Sequence, residues 1–257
     1  MPAANFACTT AVTCRCRAYS ETSQTLVFFS RDFGRISGLA KGVMRPGNSF
    51  GGPFDTLMEY EITFVRKSSS SLHVITDGEL VRPFKGLRGR FDGYIASNFL
   101  LEVVTALSED EEPDTELYDL FTSALEAIDR GGNGGPISLG FALKALELAG
   151  LGLRLDACAL CGKSSFGKQV QFRPSDGGVV CDVCSLTGDG GKQPDARGTF
   201  NVYPGDLRVL SALASSDIKR LSKINPGRDV MKRTIKIVRH ALRFLLEKPL
   251  IMLEYLS

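Results

Sequence analysis

The stretch TLVFFSRDFGRISGLA, residues 25–40, contains two short apolar runs on either side of a turn. The runs cover residues 25–29 and 35–40, a length that is typical of β-strands. Between them, the sequence Asp-Phe-Gly at 32–34 has the composition of a hairpin turn. We therefore predict a β-hairpin here, and the fold of the N-terminal region is built around it.

Three further strands are predicted beside this hairpin. Residues 59–65 and 72–76 form a second hairpin through the turn at 66–71. Residues 10–17 alternate apolar and polar side chains, which predicts a half-buried strand. Its apolar face is expected to carry Val12, Cys14 and Cys16, and its polar face Thr13, Arg15 and Arg17. Five short strands within about 80 residues predict a small all-β barrel or sandwich.

Apolar residues change from strand spacing to helical spacing after Pro83. Helices are predicted over 91–107 and 114–128, with Asp114 as the N-cap of the second. A glycine-rich linker at 130–136 precedes a third predicted helix.

The remaining sequence completes an α+β chain. The third helix is expected to end at Gly150, and from about residue 205 the chain is predicted to be helical, with a break at 225–227. We predict a β domain over residues 1–82 and a helical domain over 83–257.

The composition is that of an ordinary globular protein, with 43% apolar and 23% charged residues. No run approaches the roughly 20 apolar residues of a membrane span, so no membrane partner is expected. The net charge of +2 conceals an uneven distribution: +5 over residues 1–90, −10 over 91–150 and +7 over 151–257. Two basic segments flank an acidic one, which favours a polyanionic partner for the ends, although solvated surface remains the alternative.

Four of the seven cysteines form two pairs, Cys158-x2-Cys161 and Cys181-x2-Cys184, separated by nineteen residues. This spacing is typical of a four-cysteine zinc site, and the odd total without a secretory signal favours a reducing compartment. Four thiolates fill the tetrahedral coordination of Zn²⁺, so we expect one structural ion and not a catalytic one.

The sequence Gly-Lys-Ser at 162–164 resembles the end of a phosphate-binding P-loop, but that interpretation fails. A P-loop needs a glycine five residues before Gly162, and Ala157 stands there. The following residues also predict no helix.

No constellation of catalytic residues is found. His73 lies in an apolar strand and His240 in a helix, and we assign both to packing or surface. The carboxylates of 109–116 are interpreted as a solvated approach to a helix. We therefore expect that the chain is not an enzyme.

Two basic surfaces are candidates for binding. The first lies on the β domain and is predicted to contact DNA through Arg15, Arg17, Arg31, Arg35, Lys41 and Arg45. The interleaved phenylalanines at 28, 29 and 33 could stack on bases, but we assign them to the core. The second is a stripe within an arc of about 80° on the C-terminal helix, predicted to contact DNA or an acidic partner. It consists of Arg228, Lys232, Lys236, Arg239 and Arg243.

Several segments resemble the bacterial RecO recombination mediators. The most specific are YSETSQTLVFFSRDFGRISGLAKGVMR at 19–45 and the cysteine segments ALELAGLGLRLDACALCGK at 145–163 and GGVVCDVC at 177–184. The helical segments LLEVVTAL at 100–107 and LYDLFTSALEAI at 117–128 also match, in the same order.

The resemblance implies an N-terminal OB-fold and a helical domain with a zinc-finger insertion at about 155–188. It implies a bacterial cytoplasmic, nucleoid-associated protein that binds single- and double-stranded DNA and anneals complementary strands without hydrolysing nucleotides. It further implies work with RecR, sometimes together with RecF, to load RecA onto strands coated by the single-strand-binding protein SSB, whose C-terminal tail such proteins bind.

Two other functions are weighed against this one. The chain could be a zinc-stapled adaptor whose basic surfaces recognise acidic tails of partner proteins. A zinc-dependent hydrolase or transferase is disfavoured by the closed metal site and by the missing catalytic residues.

Overall fold

A computed structural model describes residues 5–67, 72–167, 170–187 and 199–256. The chain divides into two compact units, of which the first comprises Met1–Lys85 with Leu107–Thr122 and the second Gly86–Ala106 with Ser123–Ser257. Within the described ranges, no helix has the length and apolar character needed to cross a membrane.

The first unit contains a closed five-stranded barrel with the strand order β1-β2-β3-β5-β4. Neighbouring strands are antiparallel except β3 and β5, which pair in parallel. The strands are β1 (Phe6–Ser20), β2 (Ser23–Ser30), β3 (Gly34–Ala40), β4 (Glu59–Val65) and β5 (His73–Arg82). The OB-type barrel is thus confirmed, while the predicted turn at 66–71 lies partly outside the described residues.

Strand β1 carries a bulge at Cys14, where its pairing with β2 shifts by one residue. Ala11 and Cys16 both pack against the barrel interior, although residues five apart face opposite sides of a regular strand. The prediction that Val12, Cys14 and Cys16 share one apolar face is therefore wrong, because the bulge reverses the alternation partway along the strand.

The acidic segment after the first helix adds backbone pairing to the barrel. The N–H of Arg35 donates to the carbonyl of Glu109 at 3.1 Å, and the N–H of Glu111 donates to the carbonyl of Arg35 at 3.1 Å. The carboxylate of Asp110 lies 2.6 Å from the Arg35 guanidinium, and that of Glu111 lies 2.9 Å from Arg66. The interpretation of these acids as a merely solvated approach is wrong, since two of them neutralise arginines of the barrel.

A buried carboxylate joins the barrel to the start of helix α2 (Thr115–Asp129). Glu59 is only 2% exposed, and its carboxylate accepts from the Arg82 guanidinium and, at 2.8 Å, from the Tyr118 hydroxyl. Burial, followed by the nearby Glu59 charge, raises the pKa of Tyr118, so its hydroxyl stays protonated and donates. The Tyr118 ring also packs on Phe29, with centroids 5.7 Å apart.

Replacing Glu59 by Gln should destabilise the first unit by roughly 2 kcal/mol, because Arg82 then loses its buried anionic partner while remaining partly exposed. Urea unfolding followed by circular dichroism measures this change. Glu61→Gln is the matched control, since Glu61 lies on the same strand and is exposed. Equal unfolding midpoints for the two variants would contradict the role given to Glu59.

The second unit is largely helical, with α3 at its centre. Its helices are α1 (Phe91–Leu107, whose last residue belongs to the first unit), the second half of α2, α3 (Gly134–Leu148), α5 (Pro204–Ser215), α6 (Ile218–Leu221) and α7 (Arg228–Leu246). Asp114 caps α2 as predicted, because its carboxylate accepts from the N–H of Leu117 at 2.9 Å.

Helix α3 begins earlier than the sequence predicts. Asn133 is its N-cap and accepts from the N–H of Gly135, so the last residues of the predicted linker form the first helical turn. A Cβ on Gly134 would lie 2.8 Å from the Cβ of Ala96, so glycine permits a close approach of helices here. The helix ends as predicted, with Gly150 at a φ of 73°.

A small three-stranded sheet is inserted between α3 and α5. It has the strand order β7-β6-β8, with β6 (Val170–Arg173), β7 (Gly178–Val180) and β8 (Phe200–Val202), and is followed after β7 by α4 (Asp182–Thr187). We call these elements, together with the turn at 158–163, the cysteine module.

Candidate metal centre and nucleic-acid interface

The four paired cysteines meet in one cluster, in which all Sγ atoms lie within 4.8 Å of one another. The Sγ atoms of Cys161 and Cys181 are 3.8 Å apart. Four thiolates around a tetrahedral Zn²⁺ at about 2.3 Å place neighbouring sulfurs about 3.8 Å apart, so the donor set and its spacing fit zinc.

Tight turns present these sulfurs to one point. The N–H of Gly162 donates to the carbonyl of Cys158 at 2.9 Å, and the N–H of Cys158 donates to the carbonyl of Lys163 at 2.9 Å. Gly162 has a φ of 74°, a value that favours glycine. The predicted hairpin return is formed by β6 and β7, and it brings Cys181 back to the first pair.

The protein environment favours a thiolate at Cys158. Desolvation raises the pKa of this thiol, but hydrogen bonds donated by backbone N–H groups, that of Cys181 foremost, outweigh it and lower the pKa from 9.0 to about 6. The pKa of Cys184 is raised to about 12, because it hydrogen-bonds the sulfurs of Cys161 and Cys181 and faces the charge of Cys158. A cation held by the four cysteines would relieve this accumulation of negative charge, which is the behaviour expected of a metal centre.

The metal centre would have no position for a substrate. Four cysteine sulfurs complete a tetrahedral shell, and Cys158 and Cys181 are buried. The arrangement can therefore hold the cysteine module together but is unsuited to activating water.

The structure divides the six predicted DNA-contacting residues of the barrel into two groups. One group lies at the turn between β2 and β3, and the other lies away from that turn. Arg31 and Arg35 lie at the turn that joins β2 to β3. Arg31 pairs with Asp119 at 3.1 Å and Arg35 with Asp110 at 2.6 Å, so their charges are compensated within the first unit.

Of the other four cations, Arg17, Lys41 and Arg45 lie toward the opposite end of the hairpin, and Arg15 pairs with Val27 near its middle. Arg17 pairs with Thr25 near the start of β2, and the loop after β3 is held there because the N–H of Met44 donates to the carbonyl of Thr22 at 3.0 Å. All four side chains are exposed, and among the described residues no carboxylate lies within ion-pairing distance of them. We call this group the hairpin-end cluster: Arg15, Arg17, Lys41 and Arg45.

Phe28 and Phe29 belong to the interior, as assigned from the sequence, whereas Phe33 is only partly buried. Phe28 and Phe29 are fully buried. Phe33 packs edge-on against Phe64 at a centroid distance of 5.5 Å, with Arg66 over its ring. The rings of Phe28 and Phe29 are therefore not presented for stacking on a base, and Arg66 lies over the ring of Phe33.

The predicted stripe on α7 is present, but part of it is internally paired. Arg239 and Arg243 both contact Glu254, the former at 3.0 Å. The remaining three residues are exposed and, in the part of the chain that the structure describes, have no carboxylate partner. We call them the α7 cation row: Arg228, Lys232 and Lys236.

Aromatic residues beside this row were missed by the sequence interpretation. The ring of Phe200 lies 5.9 Å from the Lys236 ammonium and 4.8 Å from the His240 ring. Tyr203 is 56% exposed, and the Arg233 guanidinium lies over its ring at 5.7 Å. No local pattern marks these residues, because only the folded chain brings β8 beside α7.

Comparison with known proteins gives the family. The family model described as "Recombination protein O N terminal" matches residues 6–84, and the one described as "Recombination protein O C terminal" matches residues 88–253. The chain is 32% identical over 229 residues to a "DNA repair protein RecO" of Rubrobacter xylanophilus, covering 87% of each protein. It is 32% identical over 176 residues to a protein of the same name from Rhodopirellula baltica, covering 68% of this chain and 65% of that one, and 28% identical over 219 residues to one from Nocardioides. These matches show that the chain belongs to the RecO family.

Proposed function

We propose that this protein is a recombination mediator in DNA repair. It binds single- and double-stranded DNA, anneals complementary strands and, with RecR, helps to load RecA onto strands coated by SSB. The observation that carries the proposal is the family match over residues 6–84 and 88–253, which includes both the barrel and the helical unit. The naming of its relatives as DNA repair proteins supports the general role.

The hairpin-end cluster supplies the surface for DNA. Its four exposed cations attract phosphates, and the acids near the β2–β3 turn direct the strand away from that end of the hairpin. Because Phe28 and Phe29 are internal and Arg66 lies over the Phe33 ring, binding at this cluster is mainly electrostatic and largely independent of sequence.

The proposed activity needs no chemical catalysis by the chain. The cysteine module would hold zinc through Cys158, Cys161, Cys181 and Cys184, and the bound ion would stabilise that module. Annealing and loading then depend on binding energy alone, in the bacterial cytoplasm and in association with the nucleoid.

The partners follow from the same proposal. RecR, sometimes together with RecF, acts with the chain on the DNA, and the C-terminal tail of SSB docks on the helical unit. The tail is acidic and the second unit has exposed cations, so their charges are complementary, which supports this second contact.

RecA loading tests the mediator function. RecA hydrolyses ATP when it assembles on single-stranded DNA, so its ATPase rate on an SSB-coated strand reports loading. We expect the purified chain and RecR together to restore this rate, and either protein alone to leave it low. A rate unchanged by the pair would refute the mediator function.

A second candidate function is a zinc-stapled adaptor that recognises acidic protein tails, which the uncompensated α7 cation row favours. Reversing the charges at Lys232, Lys236 and Arg239 would then abolish capture of SSB and leave DNA affinity intact. A mediator that also uses α7 for DNA would lose DNA affinity in that variant.

A further inference from the structure

Helix α7 presents cations on the same side as the aromatic edge formed by Phe200, Tyr203 and His240. The α7 cation row has one residue in every fourth position, so its charges are about 6 Å apart along the helix axis. The opposite side of the helix, including Ile237 and Val238, is buried in the second unit. The exposed face of α7 is therefore a line of positive charge with rings along one side.

The aromatic edge is partly open to solvent. Tyr203 is the N-cap of α5 and is more than half exposed, while Phe200 is half-buried against Phe172 at a centroid distance of 5.6 Å. Burial, and then the charges of Lys236 and Arg243, lower the pKa of His240, so its ring is neutral at pH 7. Neutral rings beside cations are the elements with which proteins hold unpaired bases and their phosphates.

The cysteine module positions this edge. Phe200 is the first residue of β8, which pairs with β6. Strand β6 also pairs with β7, and Cys181 directly follows β7. The short helical turn at 174–176, between β6 and β7, also packs against α7. Metal binding at the four cysteines would thereby fix Phe200 beside Lys236 and His240.

We propose that the α7 cation row and the aromatic edge form a second site for single-stranded DNA, separate from the hairpin-end cluster. Phosphates contact Arg228, Lys232 and Lys236, and a base stacks on the exposed part of the Tyr203 ring that the Arg233 guanidinium, held by Asp206, leaves open. This inference rests on the proposed function and deepens it, because a protein with two strand sites can hold both strands of an annealing pair. Duplex DNA offers no free base faces, so the site prefers single strands.

An acidic peptide is the competing ligand for the same cations. Charge alone suits either ligand, but a peptide that carries only carboxylates has no ring to stack on the open aromatic edge. The stacking contact is therefore the feature that distinguishes the two ligands.

The chain contains no tryptophan, so Tyr203→Trp introduces a single fluorescent reporter at the proposed stacking position. The experiment uses the full chain, with the hairpin-end cluster replaced by alanines so that DNA on the barrel does not contribute. We expect an oligothymidylate to quench this tryptophan, and a polyglutamate peptide to leave its emission unchanged. Zinc content and circular dichroism verify that the variant is folded.

Alanine at all three positions of the α7 cation row should abolish most of the quenching and lower the slope of log affinity against log salt by about 2, at about 0.7 per lost phosphate contact. The matched control, Lys219→Ala with Arg220→Ala and Lys223→Ala, removes the same charge from exposed positions on and beside α6 and should retain the quenching.

Three results would overturn the second site: no quenching by the oligonucleotide, equal loss in the cation-row and control variants, or a response to polyglutamate alone. The wild-type chain is assayed in parallel for annealing of SSB-coated strands. Annealing by this chain without quenching of the Tyr203→Trp variant would contradict only the second site. Absence of annealing would contradict the proposed function itself.

Discussion

Replacing Cys158 or Cys181 by serine should unfold the cysteine module while leaving the barrel intact. Each substitution removes one of four thiolates from a cluster whose sulfurs lie within 4.8 Å of one another. Metal binding to structural sites of this kind contributes on the order of 10 kcal/mol of folding free energy, far more than such a small sheet supplies by itself. A strong chelator should have the same effect on the wild-type chain.

Zinc content per chain and limited proteolysis measure this outcome together. We expect one zinc ion in the wild-type protein, none in the Cys158→Ser variant, and new cleavage within residues 158–187 only in the variant. Cys8→Ser is the control, because Cys8 is exposed on β1 and lies outside the cluster. Full resistance to protease in the metal-free variant would contradict a structural role for the metal.

Replacing all four residues of the hairpin-end cluster by alanine should weaken DNA binding more than replacing the three residues of the α7 cation row. Four lost phosphate contacts, at about 0.7 each for single strands, lower the slope of log affinity against log salt by about 3. Fluorescence anisotropy of a labelled single strand, titrated at several salt concentrations, measures both affinity and slope.

Two matched double variants separate local charge from net charge. Arg17→Ala with Lys41→Ala and Arg31→Ala with Arg35→Ala each remove two cations from the barrel unit. Only the first pair should weaken DNA binding appreciably, since Arg31 and Arg35 are compensated by Asp119 and Asp110. Equal losses from the two pairs would mean that overall charge, and not the hairpin-end cluster, determines binding.

Sequence patterns predicted most of the elements because each depends on local periodicity or spacing. Residues 59–65 and 91–107 are predicted with the bounds that the structure has, and the cysteine spacing predicted the cluster at 158–184. These signals are contained within one element or one motif, so no knowledge of tertiary packing is needed to interpret them.

The errors arise where tertiary packing decides. The bulge at Cys14 reverses the faces of β1, and alternation in one strand contains no information about its partner. In the sequence, nothing distinguishes Arg31 and Arg35 from the other barrel cations. In the structure they pair with Asp119 and Asp110, which are distant in sequence. Phe200 lies beside Lys236 and His240 because the cysteine module places β8 next to α7, and no local sequence pattern indicates this contact.

The most direct test of the mediator function is the annealing rate of complementary strands that are both coated with SSB. The purified chain is added without nucleotide at two salt concentrations, and annealing is followed as a loss of fluorescence. The proposal predicts rapid annealing that slows at the higher salt and in the variant lacking the hairpin-end cluster. No annealing, despite tight capture of the coating protein, would contradict it and would make the chain an adaptor.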